Sequence, residues 1–164
     1  MPSGSRQRSP ATDRVARIRR RRGDVEVVLD AEERTALRSI VDTLSAALEQ
    51  RPQGERPTYE DPAMEAEYQR WTVPGLVDTR DADIEAVRRG LSSDESQCYL
   101  NDGQAMSWVR ALNHLRLAAG SLMGADEDGW EQRLGSDRLL ERQEYRMLVA
   151  LSWMQEALVD ALES

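Results

Sequence analysis

The chain has 164 residues, ample for one hydrophobic core and too few for two ordinary enzyme domains. With 40% hydrophobic and 32% charged residues its composition is that of a soluble globular protein, and no apolar run approaches the ~20 residues of a membrane helix. A lone cysteine, Cys98, excludes an internal disulfide framework and a thiolate metal cluster. All 22 basic residues are arginine. Residues 1–23 hold eight of them against the single acid Asp13, a net +7; the other 141 residues, with 14 arginines and 29 acids, sum to −15. An acidic body repels phosphate at long range, so any attraction to nucleic acid has to come from the leader, through Arg14, Arg17, Arg19, Arg20, Arg21 and Arg22. With almost nothing to bury, residues 1–23 read as a disordered, solvated tail of a cytoplasmic protein. A transit peptide fits their composition only superficially, and no apolar stretch follows to make a signal-peptide core.

Residues 24–164 read as a single helical domain. Val25, Val27 and Leu29 alternate with Glu26 and Val28, the period of a short strand. Asp30 with Glu33 forms a capping-box pattern ahead of a helix whose Leu37, Ile40, Val41, Leu44 and Leu48 share a stripe, ending near Gln50. A polar loop follows, then Asp61-Pro62 opens a second helix with Met64, Tyr68 and Trp71 on one face. Thr72 and Pro74 begin a third, carrying Leu76, Val77, Ile84, Val87 and Leu91 and stopped by Gly90 and Ser92-Ser93-Asp94. Residues 97–100 suit a second strand. Asn101 with Gln104 caps a fourth helix that buries Ala105, Trp108, Val109, Leu112, Leu115 and Ala119. An acidic segment, Gly124 to Asp137, predicts a mobile surface loop containing Trp130. The last helix, from about Leu139 to Leu162, is apolar nearly all round beyond Met147, so it is either central to the bundle or half of a homodimer interface, with Leu151, Met154, Leu158 and Leu162 at the contact. The expected fold is mainly α with minor β: about five helices in a bundle and a short two-stranded sheet. Trp71, Trp108 and Trp153 are expected in the core or at an interface.

Chemistry is sparse. Cys98 and the only histidine, His114, could form a catalytic pair only by converging beside a carboxylate, and no glycine-rich phosphate loop or metal-ligand spacing is present. The expectation is no catalytic residue, no metal and no cofactor. Arg110, Asn113 and Arg116 share a face of the fourth helix, and Gln155 and Glu156 sit in the most apolar stretch, so a structural polar network is expected, with Arg116 partnering Glu156. The neighbourhood of Asn113, Arg116 and Glu156 could instead bind a small ligand or form an enzymatic site.

The segment Trp108-Val109-Arg110-Ala111-Leu112-Asn113-His114-Leu115-Arg116-Leu117-Ala118-Ala119-Gly120-Ser121 resembles the signature of the actinobacterial family called domain of unknown function 2017, Trp-x-x-x-(Leu/Val)-Asn-Asp-Leu-Arg-Leu-x-Leu-Gly-Thr. Met154 to Val159 is similar to that family's closing Leu-Gln-Glu-x-Leu-Val, and Glu67 to Thr72 to its Glu-Phe-Arg-Arg-Leu-Thr. The resemblance implies a non-enzymatic regulator of the oxidative-stress response that partners a sigma factor or RNA polymerase at promoters and senses oxidation through cysteines. It also keeps open an adaptor linked to proteolysis, since family members commonly lie beside the gene for a protease adaptor. His114 replaces the family's aspartate, and Leu148-Val149-Ala150-Leu151 replaces its Tyr-Asp-Trp-Leu. With Cys98 alone, redox sensing is limited to a disulfide between subunits or with a small thiol.

Overall fold

The computed structural model describes residues 17–50, 58–124 and 142–164. Order extends further towards the N-terminus than residue 24. Arg17–Arg21 form strand β1, which pairs antiparallel with β2 (Asp24–Val28) across a two-residue turn. Both turn residues have positive φ, 53° at Arg22 and 90° at Gly23, the backbone that a tight hairpin needs to match strand twist. β2 in turn pairs antiparallel with β3 (Gln97–Leu100), so the sheet has three strands in the order β1-β2-β3 rather than the expected two. The part of the supposed leader from Arg17 onward is therefore an edge strand. Arg14 and the rest of residues 1–16 lie outside the described residues.

The described residues also form five helices, with β3 between the third and the fourth: α1 (Ala31–Gln50), α2 (Pro62–Trp71), α3 (Val73–Ser92), α4 (Asp102–Leu122) and α5 (Gln143–Glu163). The start signals work as read. Asp30 and Glu33 satisfy each other's backbone N–H groups at 2.8 Å, and Asn101 and Gln104 do the same at 2.9 and 2.8 Å. Asp61 accepts from the Ala63 N–H with Pro62 at the first turn of α2.

The core lies between one face of the sheet and the helices. Val25, Val27 and Leu100 meet Leu37, Val41 and Leu44 of α1, Ile84, Val87 and Leu91 of α3, and the Ala105, Trp108, Leu112, Leu115 and Ala119 stripe of α4. α5 runs antiparallel to α4 and packs chiefly on it, also touching β1 and β2. Its Met147, Leu151, Met154, Leu158 and Ala161 are buried inside the subunit, and Leu162 is partly buried against the same core. This corrects the reading of Leu151, Met154 and Leu158 as a dimer contact, since they are buried within the subunit, while Leu162 is only partly covered. The opposite side of α5 is wet, with Val149 and Trp153 exposed.

Gly90 does not stop α3. It lies inside the helix, where a β-carbon would come within 2.3 Å of Trp108 Cζ2, so its bare backbone is what lets the buried indole approach. α2 is the outlier. It has no buried residue and, among the described residues, packs chiefly on α3, leaving Met64 exposed and Trp71 71% exposed, so Trp71 is not a core residue of this subunit. Leu76, in the first turn of α3, is exposed as well. The acidic segment with Trp130 lies outside the described residues.

Candidate nucleic-acid interface

Alternation along β1 decides what each arginine can do. Ile18 and Arg20 point to the helix side of the sheet, while Arg17, Arg19 and Arg21 point outward and are exposed. Arg20 is consequently an anchor. Its guanidinium donates to the Gly23 carbonyl at 3.0 Å, to the Asp102 carboxylate at the first turn of α4, and to the Leu162 carbonyl at 3.0 Å in the last turn of α5. A cation at a helix C-terminus complements both the free carbonyl and the helix dipole. Arg20 is thus removed from the candidate nucleic-acid contacts; Arg22 remains, in the hairpin turn.

The outward face forms rows set by the register. Arg17 lies opposite Val28 and Gln97, Arg19 opposite Glu26 and Tyr99, and Arg21 opposite Asp24. Glu26 is the residue that sequence reasoning missed. On an alternating strand it reads as a solvent-facing acid, yet its side chain is only 1% exposed. Arg19 Nε donates to Oε2 at 3.2 Å, and Arg21 Nη1 donates to Oε1 and Oε2 at 3.2 and 3.3 Å. Burial pushes the Glu26 carboxyl upward, but these hydrogen bonds and the two positive charges outweigh it and hold it below the ordinary carboxylate value. Tyr99, 50% exposed, closes the other side of the row, its hydroxyl donating to Gln97 Oε1 at 3.3 Å. The signal that would have found this face is Arg-x-Arg-x-Arg from residue 17 to 21, a period of two hidden in a stretch where every residue but Ile18 is arginine.

The expected polar network divides into separate pieces. Arg110 forms a bidentate pair with buried Asp83 of α3, both bonds 2.9 Å, and also reaches Ser107 Oγ. Arg116 Nη2 donates to Asn113 Oδ1 at 3.1 Å within α4. Gln155 Nε2 donates across to the Val109 carbonyl at 3.3 Å. Glu156 is exposed on α5 and forms no ion pair among the described residues, so the expected Arg116–Glu156 partnership does not form. His114 is partly buried; burial holds its imidazole below the ordinary value, the Arg80 charge adds to this and Asp83 partly offsets it.

Cys98 is half-buried, opposite Val27 on the core side of the sheet, while His114 lies on α4 near Arg80 and Asp83; no catalytic pair is assembled. Burial pushes the Cys98 thiol up, away from the thiolate that redox chemistry needs. Among the described residues no group of three or more His, Cys, Asp or Glu could hold a metal, and no helix is long and apolar enough to cross a membrane. A cleft of about 310 Å³ between α1 and α3 is lined by Ser45, Arg80 and Arg88 together with Glu49, Asp81 and Glu85. Ser45 Oγ and Arg88 Nε are buried there without a hydrogen-bond partner, although Arg88 Nε lies 3.4 Å from the Asp42 carboxylate.

A mainly helical domain with a small antiparallel sheet, one face of which is open and arginine-bearing, is the class defined by this geometry. The chain belongs to the family described as Domain of unknown function (DUF2017), whose model matches residues 15–162 and so includes β1. No curated protein and no solved structure matches it.

Proposed function

We propose that this protein is a non-enzymatic regulator that works at promoters by contact, and that the open face of its sheet touches nucleic-acid phosphates. The observation that carries the reading is the outward placement of Arg17, Arg19 and Arg21 on a strand that Arg20 clamps to the helical body. Guanidinium groups held on a rigid strand donate to phosphate without the ordering cost of a loose tail. The rest of the chain is acidic, which confines contact to this face and to whatever residues 1–16 add through Arg6, Arg8 and Arg14. Three phosphate contacts on a duplex give a log–log salt slope of about −2.7. Anisotropy titrations of the full chain at several salt concentrations measure it. Arg17→Glu with Arg21→Glu should abolish the salt-sensitive binding; unchanged affinity in that variant removes nucleic acid from the account. Contact with a sigma factor or RNA polymerase, oxidative-stress signalling, actinobacterial origin and a cytoplasmic setting belong to the same proposal and rest on family likeness.

A second reading, a protein-interaction adaptor linked to proteolysis, is favoured by α2. A ten-residue helix with no fully buried residue, with Met64 and Trp71 exposed on it and exposed Leu76 following at the start of α3, is a surface on which aromatic anchors commonly seat partners. Recovery of protease components by the intact chain, lost on Trp71→Ala, supports this reading; recovery of polymerase or sigma factor supports the first. A homodimer is compatible with either, through α2 or the exposed Val149 and Trp153 of α5, and sedimentation equilibrium measures it.

A further inference from the structure

We infer that the open sheet face binds single-stranded rather than duplex nucleic acid, with a base stacked on Tyr99 and the neighbouring phosphates on Arg17, Arg19 and Arg21. The inference rests on the nucleic-acid reading above and adds the kind of strand. Three observations lead to it. First, Tyr99 is an exposed aromatic ring on a face that otherwise carries charged and polar side chains apart from Val28, in the same cross-strand row as Arg19, with Glu26 between them. Two strand spacings separate β3 from β1, about 10 Å of backbone, so a base over β3 and a phosphate over β1 are side by side. Stacking of this kind needs an unpaired base, because duplex bases already stack on one another.

Second, alternate residues along β1 are about 6.7 Å apart, which presents the three guanidinium groups as a row that an extended backbone can follow. A rigid duplex laid on the same face would bring its second strand over the acidic body, whereas a single strand can keep to the basic edge. Third, Gln97 Oε1 accepts the Tyr99 hydroxyl, steadying the ring, and its amide nitrogen is a donor within reach of a stacked base.

Glu26 would compete with a phosphate for the same donors. Its carboxylate already takes hydrogen bonds from Arg19 and Arg21, so an incoming strand competes with it for both. Removing that charge leaves the two arginines free for the ligand. Glu26→Gln should therefore tighten binding, an effect opposite to the loss a damaged fold would cause.

The test is fluorescence anisotropy of the full chain with a labelled mixed-sequence single strand and with the corresponding duplex, at low salt, on wild type, Tyr99→Ala, Tyr99→Phe and Glu26→Gln, each checked by circular dichroism. The expected pattern is tighter binding of the single strand, about tenfold weakening in Tyr99→Ala from the lost stacking, retention in Tyr99→Phe, and tightening in Glu26→Gln. Should Glu26→Gln fail to fold, the two Tyr99 variants decide. Equal affinity for the duplex, or a Tyr99→Ala protein that binds the single strand like wild type, overturns this inference and leaves the phosphate-contact reading standing. Absence of salt-sensitive binding to either probe overturns both.

Discussion

The indole of Trp108 on α4 occupies the space that a side chain at Gly90 of α3 would fill: a β-carbon at residue 90 would come within 2.3 Å of the ring. In an exposed helix interior Gly→Ala adds stability, about 1 kcal/mol of propensity. Here the added methyl meets a rigid, fully buried ring, and overpacking of that kind costs about 1–3 kcal/mol. Gly90→Ala should lower stability despite the better helix former, by about 1 kcal/mol net, a melting shift of roughly 2–4 °C for a chain of this size. Calorimetry measures it, and an unchanged or raised melting temperature contradicts the packing described.

Leu151 and Leu158 are fully buried on α5. Leu→Ala at either should cost about 2–5 kcal/mol, read from urea unfolding. Because these side chains are covered within one subunit, the cost should not depend on protein concentration. A concentration-dependent loss would restore them to a subunit interface.

Arg20 and Arg17 are two residues of the same type in one strand with opposite duties. Arg20→Ala should destabilise by about 1–3 kcal/mol, since the Leu162 carbonyl and Asp102 lose a charged donor. Arg17→Ala, whose side chain faces outward, should stay within about 0.5 kcal/mol of wild type while weakening nucleic-acid binding. Paired denaturation and anisotropy curves separate the two; similar stability losses at both positions would contradict the inward–outward assignment.

Folding makes the Glu26 carboxyl more acidic than its ordinary 4.5. A group shifted in that direction stabilises the native state above its ordinary value, and the contribution disappears as the pH falls through the lowered native value. Unfolding free energy should therefore drop as the pH is taken below about 4.5, and Glu26→Gln should flatten part of that drop. A variant with the wild-type acid profile would show that Arg19 and Arg21 do not hold the carboxylate in solution.

Cys98 should react slowly with a disulfide reagent at pH 8 in the native protein and at the free-thiol rate in denaturant, because burial disfavours its thiolate. Fast native labelling would reopen a redox role for this residue.

Helix starts were legible because capping chemistry is local: Asp30 with Glu33 and Asn101 with Gln104 do in the fold what their spacing announces. The α4 stripe was legible from its period, with Ala105, Trp108, Leu112, Leu115 and Ala119 all buried. The first strand was not, because composition and period disagreed at residues 17–21: five residues with four arginines read as a solvated tail, although the alternation with Ile18 and Arg20 on the inner face is a strand. Glu26 was missed for the complementary reason. Its burial depends on cover from β1 and β3, and cross-strand register is not written in any one segment. The apolar abundance of α5 suggested a twin subunit, yet one stripe meets α4 and the sheet while Trp153 is left 42% exposed on the other side. Arg110 found Asp83, 27 positions earlier, rather than a partner on α5, a choice made by the crossing of α3 and α4.

The clasp between Arg20 and the Leu162 carbonyl joins positions 142 apart. A ribosome releases the edge strand early and the last turn of α5 only at the close of this stretch, so the native hairpin has no finished surface to settle on during most of synthesis. Docking of Arg20 onto α5 therefore waits for that last turn to emerge, and tags or cuts near Leu162 should loosen β1.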